Sequence, residues 1–219
     1  DRTRGAMIQA VYRSNFILMG LPVAENIYGK GCVSVTAALI MFVVPLYNFL
    51  AVIVLEYFRG GRANLKSVLK KILTNPIILG AVAAILALAL NISVPSAVNK
   101  TISGMCDATT PIAMILLGAS FNKSSVHAGK KNLTICVLSR LVIVPAIGLG
   151  LAAMLGVRDV ALVSLIAMMA APPAVSSYTM AEAMDSDGEL AGNAVIFATP
   201  LSCVTIFLWL FLFKSLGMF

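Results

Sequence analysis

Residues 165–184 read LIAMMAAPPAVSSYTMAEAM. The left half suits hydrocarbon, yet Pro172 and Pro173 follow, then Ser176, Ser177 and Tyr178. A proline lacks a backbone N–H and clashes with the carbonyl four residues back, so it breaks or kinks a helix. In a bilayer the freed backbone groups cost several kcal/mol each, and such a break is tolerated only inside protein or beside a water-filled cavity. The stretch therefore predicts a helix broken at membrane depth, next to a polar site.

The bulk composition sets the class. Hydrophobic residues make up 60% of the 219, charged residues 11%, and the mean hydropathy is +0.97. Soluble domains carry about 25% charged residues, so this chain is read as an all-α polytopic membrane protein. The net charge of +7 gathers between apolar runs, at Arg59, Arg62, Lys66, Lys70 and Lys71 and again at Lys123, Lys130 and Lys131. That is the pattern of cytoplasmic loops, not the basic face of a nucleic-acid binder, and no nucleic acid is expected as a partner. Cys32, Cys106, Cys136 and Cys203 lack metal-ligand or redox spacing and read as small buried side chains.

A spanning helix needs about 20 apolar residues. Seven segments qualify: 6–28, 33–57, 75–92, 96–121, 132–156, 159–183 and 190–213. Between the second and third lies the basic stretch 58–74, whose LKSVLKKIL portion predicts an interfacial amphipathic helix. The basic loops place 58–74 and 122–131 inside, with the first segment running outward.

An internal repeat follows. LMGLPVAENIYG leads to FVVPL (42–46) as MAAPPAVSSYTM leads to FATPL (197–201), so that Pro22 approximates Pro173. With five spans per copy, 1–57 holds the last two spans of a first repeat and 75–219 a complete second one. The expectation is that three spans of the first copy lie upstream of Asp1. An odd number of spans inverts the second copy, a transporter signature, and paired interruptions point to the transport site. Pro45 and Pro200 read as simple kinks.

Candidate site residues follow from that architecture. The half-helix ends at Pro22 and at Pro172–Pro173, with Gly20, Ser176 and Ser177 beside them, offer free N–H groups and partial positive charge to an anion. Asn15 would bond a carboxylate or stray backbone groups. In the fourth segment Asp107, Thr109 and Thr110 precede Pro111. Asp107, at a depth where an acid faces a cavity or partner, is read for substrate, ion or proton coupling, or else as the cap of a half-helix at ATTP. Arg140 either snorkels to the headgroups or pairs with an anion or Asp107. Glu25 and Tyr178 are second-tier candidates. The single histidine, His127, sits in a basic loop far from Ser176 and Ser177, and no protease or nucleotide-binding motif occurs, so an enzyme is not expected.

Five blocks, SNFILMGLPVAENIYG, NPIILGAVAAIL, CDATTPIAMILLGASF, APPAVSSYTMAEAM and ELAGNAVIFATPLS, resemble the auxin efflux carrier family, in that family's order and over nearly the whole chain. The resemblance implies ten spans in two inverted five-helix repeats with crossing broken helices, as in the sodium/bile-acid symporter fold. The first three spans would be absent here. It also implies that Pro22 and Pro172–Pro173 are the crossover prolines, that Asn15 lies by the substrate and that Asp107 opens the family's DATxP block. The short 58–74 loop favours a bacterial inner-membrane permease for small organic anions such as malate or malonate. No cofactor is expected beyond a coupling proton or sodium ion, and the lipid bilayer and a homodimer are the expected surroundings. An uncoupled uniporter or export carrier, and a membrane receptor with a transporter-like pocket, are the alternatives.

Overall fold

The computed structural model describes residues 1–29, 33–59, 74, 76–90, 92, 94–119, 121 and 123–219. The basic linker between Arg59 and Thr74, with its expected interfacial helix, lies outside the described residues, as do Cys32 and the side chains of Thr110 and His127.

Helix α1 (Arg2–Tyr12) gives way to irregular backbone at 13–15, and a π-helical turn (Phe16–Gly20) then runs directly into α2 (Leu21–Tyr28). Helices α3 (Val33–Phe58), α4 (Pro76–Ala89) and α5 (Ser96–Ala119) follow. Helix α6 (Lys123–Leu138) passes through a second π-turn (Ser139–Ile143) into α7 (Val144–Met154). Helices α8 (Asp159–Ala170) and α9 (Ser176–Ala183) flank another irregular stretch, and α10 (Gly188–Ser215) comes last. Among the described residues the only β-type pairing is an isolated antiparallel bridge between Ser14 and Pro173.

The chain is an α-helical membrane protein. Among the described residues four helical stretches are long and apolar enough to span: Ala38–Phe58, Ser96–Ala119, Gly129–Met154 and Gly188–Ser215. Two more expected spans are the interrupted segments, and the remaining one is represented by α4, of 14 residues. Bulky apolar side chains such as Phe42, Met105, Ile115, Phe207 and Phe211 point outward, an arrangement that suits hydrocarbon. Cys136 is buried as expected, but Cys106 and Cys203 lie exposed on α5 and α10.

The second interruption falls at the two prolines. Ala171 takes extended backbone (φ −63°, ψ 150°), as a residue before proline must when the α conformation clashes with the ring. The first interruption does not fall at Pro22. It lies at Arg13–Asn15, where Arg13 turns extended (φ −78°, ψ 124°), and the residue facing Pro173 is Ser14, eight positions before Pro22. Pro22 stands in the first turn of α2, where no N–H is required of it. The π-turn before it, in which the Leu21 N–H reaches back to the Phe16 carbonyl, takes up the ring. Pro145 repeats the arrangement after the second π-turn. Pro45 and Pro200 lie inside continuous helices as expected. Pro111 also lies inside continuous helix, so there is no ATTP half-helix for Asp107 to cap.

The two interrupted segments run in opposite directions. The start of α1 meets the chain just beyond α9: Thr3 Oγ1 donates to Asp187 at 2.9 Å and Ser186 Oγ to the Arg2 carbonyl at 3.0 Å. Arg59, just past α3, pairs with Asp185 at the same end. At the other end Tyr28 of α2 shares an apolar cluster with Val160 of α8 and Phe219. Half-helix α1 thus lies beside α9, and α2 beside α8. The C-terminal ends of α1 and α8 converge from opposite sides, and so do the starts of the π-turn and of α9.

Candidate functional site

Where the two interruptions meet, their backbones bond to each other. The Asn15 N–H donates to the Pro172 carbonyl at 2.8 Å, and Ser14 Oγ to the Met168 carbonyl. These bonds satisfy groups that unwinding would otherwise leave bare in an apolar setting.

On one side of the junction sits Arg140, fully buried at 1% exposure. Its Nε donates to the Ala171 carbonyl (2.8 Å), Nη2 to Met168 (3.0 Å), and Nη1 to Val11 (3.2 Å) and Tyr12 (3.3 Å). One guanidinium therefore caps the C-terminal ends of both α1 and α8. Each end leaves carbonyls without helical donors and carries partial negative charge, which explains a cation at this depth. Arg140 neither snorkels nor meets Asp107; of the sequence expectations only pairing with an anion stays untested. Its position in the sequence gives its depth but not the two helix ends it faces.

On the other side lies a cavity of about 220 Å³, below the roughly 300–1,000 Å³ of sites for drug-sized ligands and suited to a smaller solute. The first interruption contributes Arg13, Ser14 and Asn15. The second contributes Ala174, Val175 and Ser176, α3 adds Tyr47 and Asn48, and α5 adds Thr109. The N-terminal ends of the π-turn and of α9 border it, so its wall is biased toward positive charge. No Asp or Glu occurs among its described lining residues.

Of the candidates from sequence, Asn15, Ser176 and Thr109 line this cavity. Asn15 is 6% exposed, and its Nδ2 has no hydrogen-bond acceptor among the described residues. Pro172 and Pro173 form the junction just behind the wall. Ser177 is buried one position away, its Oγ without a partner among the described residues. Gly20 lies outside the lining, where a Cβ would stand 2.8 Å from the Ala167 carbonyl. Its lack of side chain lets the π-turn press onto α8. Pro22 does not reach the cavity, and Asp107 is exposed on α5, two positions before Thr109.

Sequence reasoning passed over Arg13, Ser14, Asn48 and Gln9. Arg13 is 6% exposed, lines the cavity, and donates to Asn48 Oδ1 and Met180 Sδ. The signal was present: a cation in the middle of a span without an acidic neighbour in YRSN. Gln9 is wholly buried where α1 meets α9, with Nε2 on the Ser177 carbonyl at 3.5 Å.

Interrupted helices enclosing a polar pocket inside an apolar bundle define a solute-handling membrane protein. The sequence profile described as membrane transport protein matches residues 59–210, and the chain belongs to that family, the family of the auxin efflux carriers. An uncharacterised transporter of Methanocaldococcus jannaschii is 21% identical to it over 212 residues, covering 95% of this chain and 68% of the archaeal one.

Proposed function

We propose that this chain serves as a secondary transporter of small organic anions, dicarboxylates such as malonate or malate included, exchanging access between the membrane faces around the junction of its interrupted segments. The observation that carries the reading is the cavity at that junction, walled by two helix starts and the unpartnered Asn15 amide. Such a wall favours a carboxylate, which accepts hydrogen bonds from amides and helix N-termini. The matching architecture is an inverted five-helix repeat with crossing broken helices, in a bacterial inner membrane. An uncoupled uniporter is the second reading, and the exposure of Asp107 outside the cavity favours it over proton or sodium coupling through that residue.

Uptake of labelled malonate and malate into vesicles holding the full chain tests the proposal. Saturable uptake that falls at least tenfold in Asn15→Ala, about the worth of one hydrogen bond to a charged group, is the expected result. Absence of uptake for every small organic anion tried overturns it. Uptake indifferent to pH and sodium gradients, and unchanged in Asp107→Asn, selects the uniporter.

A further inference from the structure

The protein buries two arginines at one junction and treats them differently. Arg140 has four carbonyl acceptors and no place on the cavity wall. Arg13 lies on that wall, and among the described residues its acceptors are the Asn48 carbonyl oxygen and the Met180 sulfur. Both are neutral, and a thioether is a weak acceptor. Among the described residues no ion pair involves Arg13. A guanidinium always carries its charge, and a buried charge without a counter-ion costs several kcal/mol. The cavity opens directly beside it.

We infer that Arg13 reads the charge of the solute: a carboxylate entering the cavity pairs with its guanidinium, while Asn15 Nδ2 donates to the same group. This deepens the anion-transport reading and rests on it. Five N–H donors in a planar fork match the two oxygens of a carboxylate, so the site selects a solute presenting one free carboxylate over its amide. Asn48 is the holder that keeps the fork aimed while the cavity is empty.

The test is binding of malonate and of its neutral diamide, malonamide, to the full chain in detergent, followed by calorimetry. Arg13→Gln is expected to weaken malonate roughly a hundredfold, the scale for truncating one partner of a buried charge pair, and to leave malonamide unaffected. Arg13→Lys retains malonate within about tenfold of the unmodified chain, because the charge persists without the fork. Asn48→Asp is a further variant. It sets a carboxylate against the guanidinium and so holds the fold, while its own negative charge on the cavity wall opposes malonate. Retained affinity there counts against Arg13, and the contrast between Arg13→Lys and Arg13→Gln carries the support. The inference expects a folded chain that has lost malonate at least tenfold. Malonate preference surviving both Arg13→Gln and Asn48→Asp overturns the role of Arg13 and leaves anion transport standing. Equal affinity of the unmodified chain for malonate and malonamide overturns both.

Discussion

In Asp159–Ala183 the interruption follows from covalent structure, because two successive prolines withhold two N–H groups and force Ala171 into extended backbone. In Arg2–Tyr28 no proline stands at 13–15, and the residues that unwind there, Arg13, Ser14 and Asn15, are all compatible with helix. Their break is held by contacts from elsewhere in the chain. Arg140 takes the last carbonyls of α1, Ser14 Oγ reaches Met168, and the Asn15 N–H reaches Pro172. One unwound stretch is made by chemistry along the chain, the other by chemistry across it. The proline-made break serves as the template on which the contact-made one is held.

The most severe way to break this contrast is Arg140→Met. It leaves four buried carbonyls without that donor, and the expected loss is about 3–5 kcal/mol, since each buried acceptor deprived of its partner costs about 1–3 kcal/mol. Unfolding in detergent measures it. A loss below about 1 kcal/mol would show that the first interruption does not depend on the arginine. Ser14→Ala removes a single neutral hydrogen bond and should cost about 1 kcal/mol. Hydrogen exchange should rise at residues 13–16 more than at 171–176, and equal rises would mean the two breaks are held alike. Pro22→Ala sharpens the comparison from below. A proline in the first turn of a helix contributes little there, so the change should stay within about 0.5 kcal/mol. A cost above about 2 kcal/mol would restore Pro22 as the origin of the first break.

These contrasts explain what could be read from the residues alone. The membrane class followed from hydropathy, which depends only on composition. The second interruption followed from Pro172–Pro173, because a missing N–H is a local fact. Pro22 misled for a physical reason: a π-turn can absorb a proline, and nothing in LMGLP marks the five-residue turn in advance. The true break at Arg13–Asn15 depends on donors and acceptors supplied by residues more than a hundred positions away. Asn15 draws notice in the sequence, because an amide within an apolar span needs a partner wherever it lies, and it lines the cavity. Arg13 draws no such notice, since its meaning rests on Asn48, Met180 and the cavity they border. CVLSRLVIVP gives the depth of Arg140, but the two helix ends converging on it leave no trace there.

The second π-turn carries a consequence of its own. In an α-helix the Leu141 carbonyl would receive the N–H of residue 145, which is a proline; the indole Nε1–H of Trp209 donates to it instead, at 3.1 Å. Trp209 is the single tryptophan of the chain, so emission excited beyond the tyrosine absorption band comes from that one indole. Any sliding of α10 past the arginine-bearing helix would change the indole's polarity and alter the colour of the light it emits. The protein thus carries an intrinsic optical gauge one residue from the guanidinium that joins its two halves.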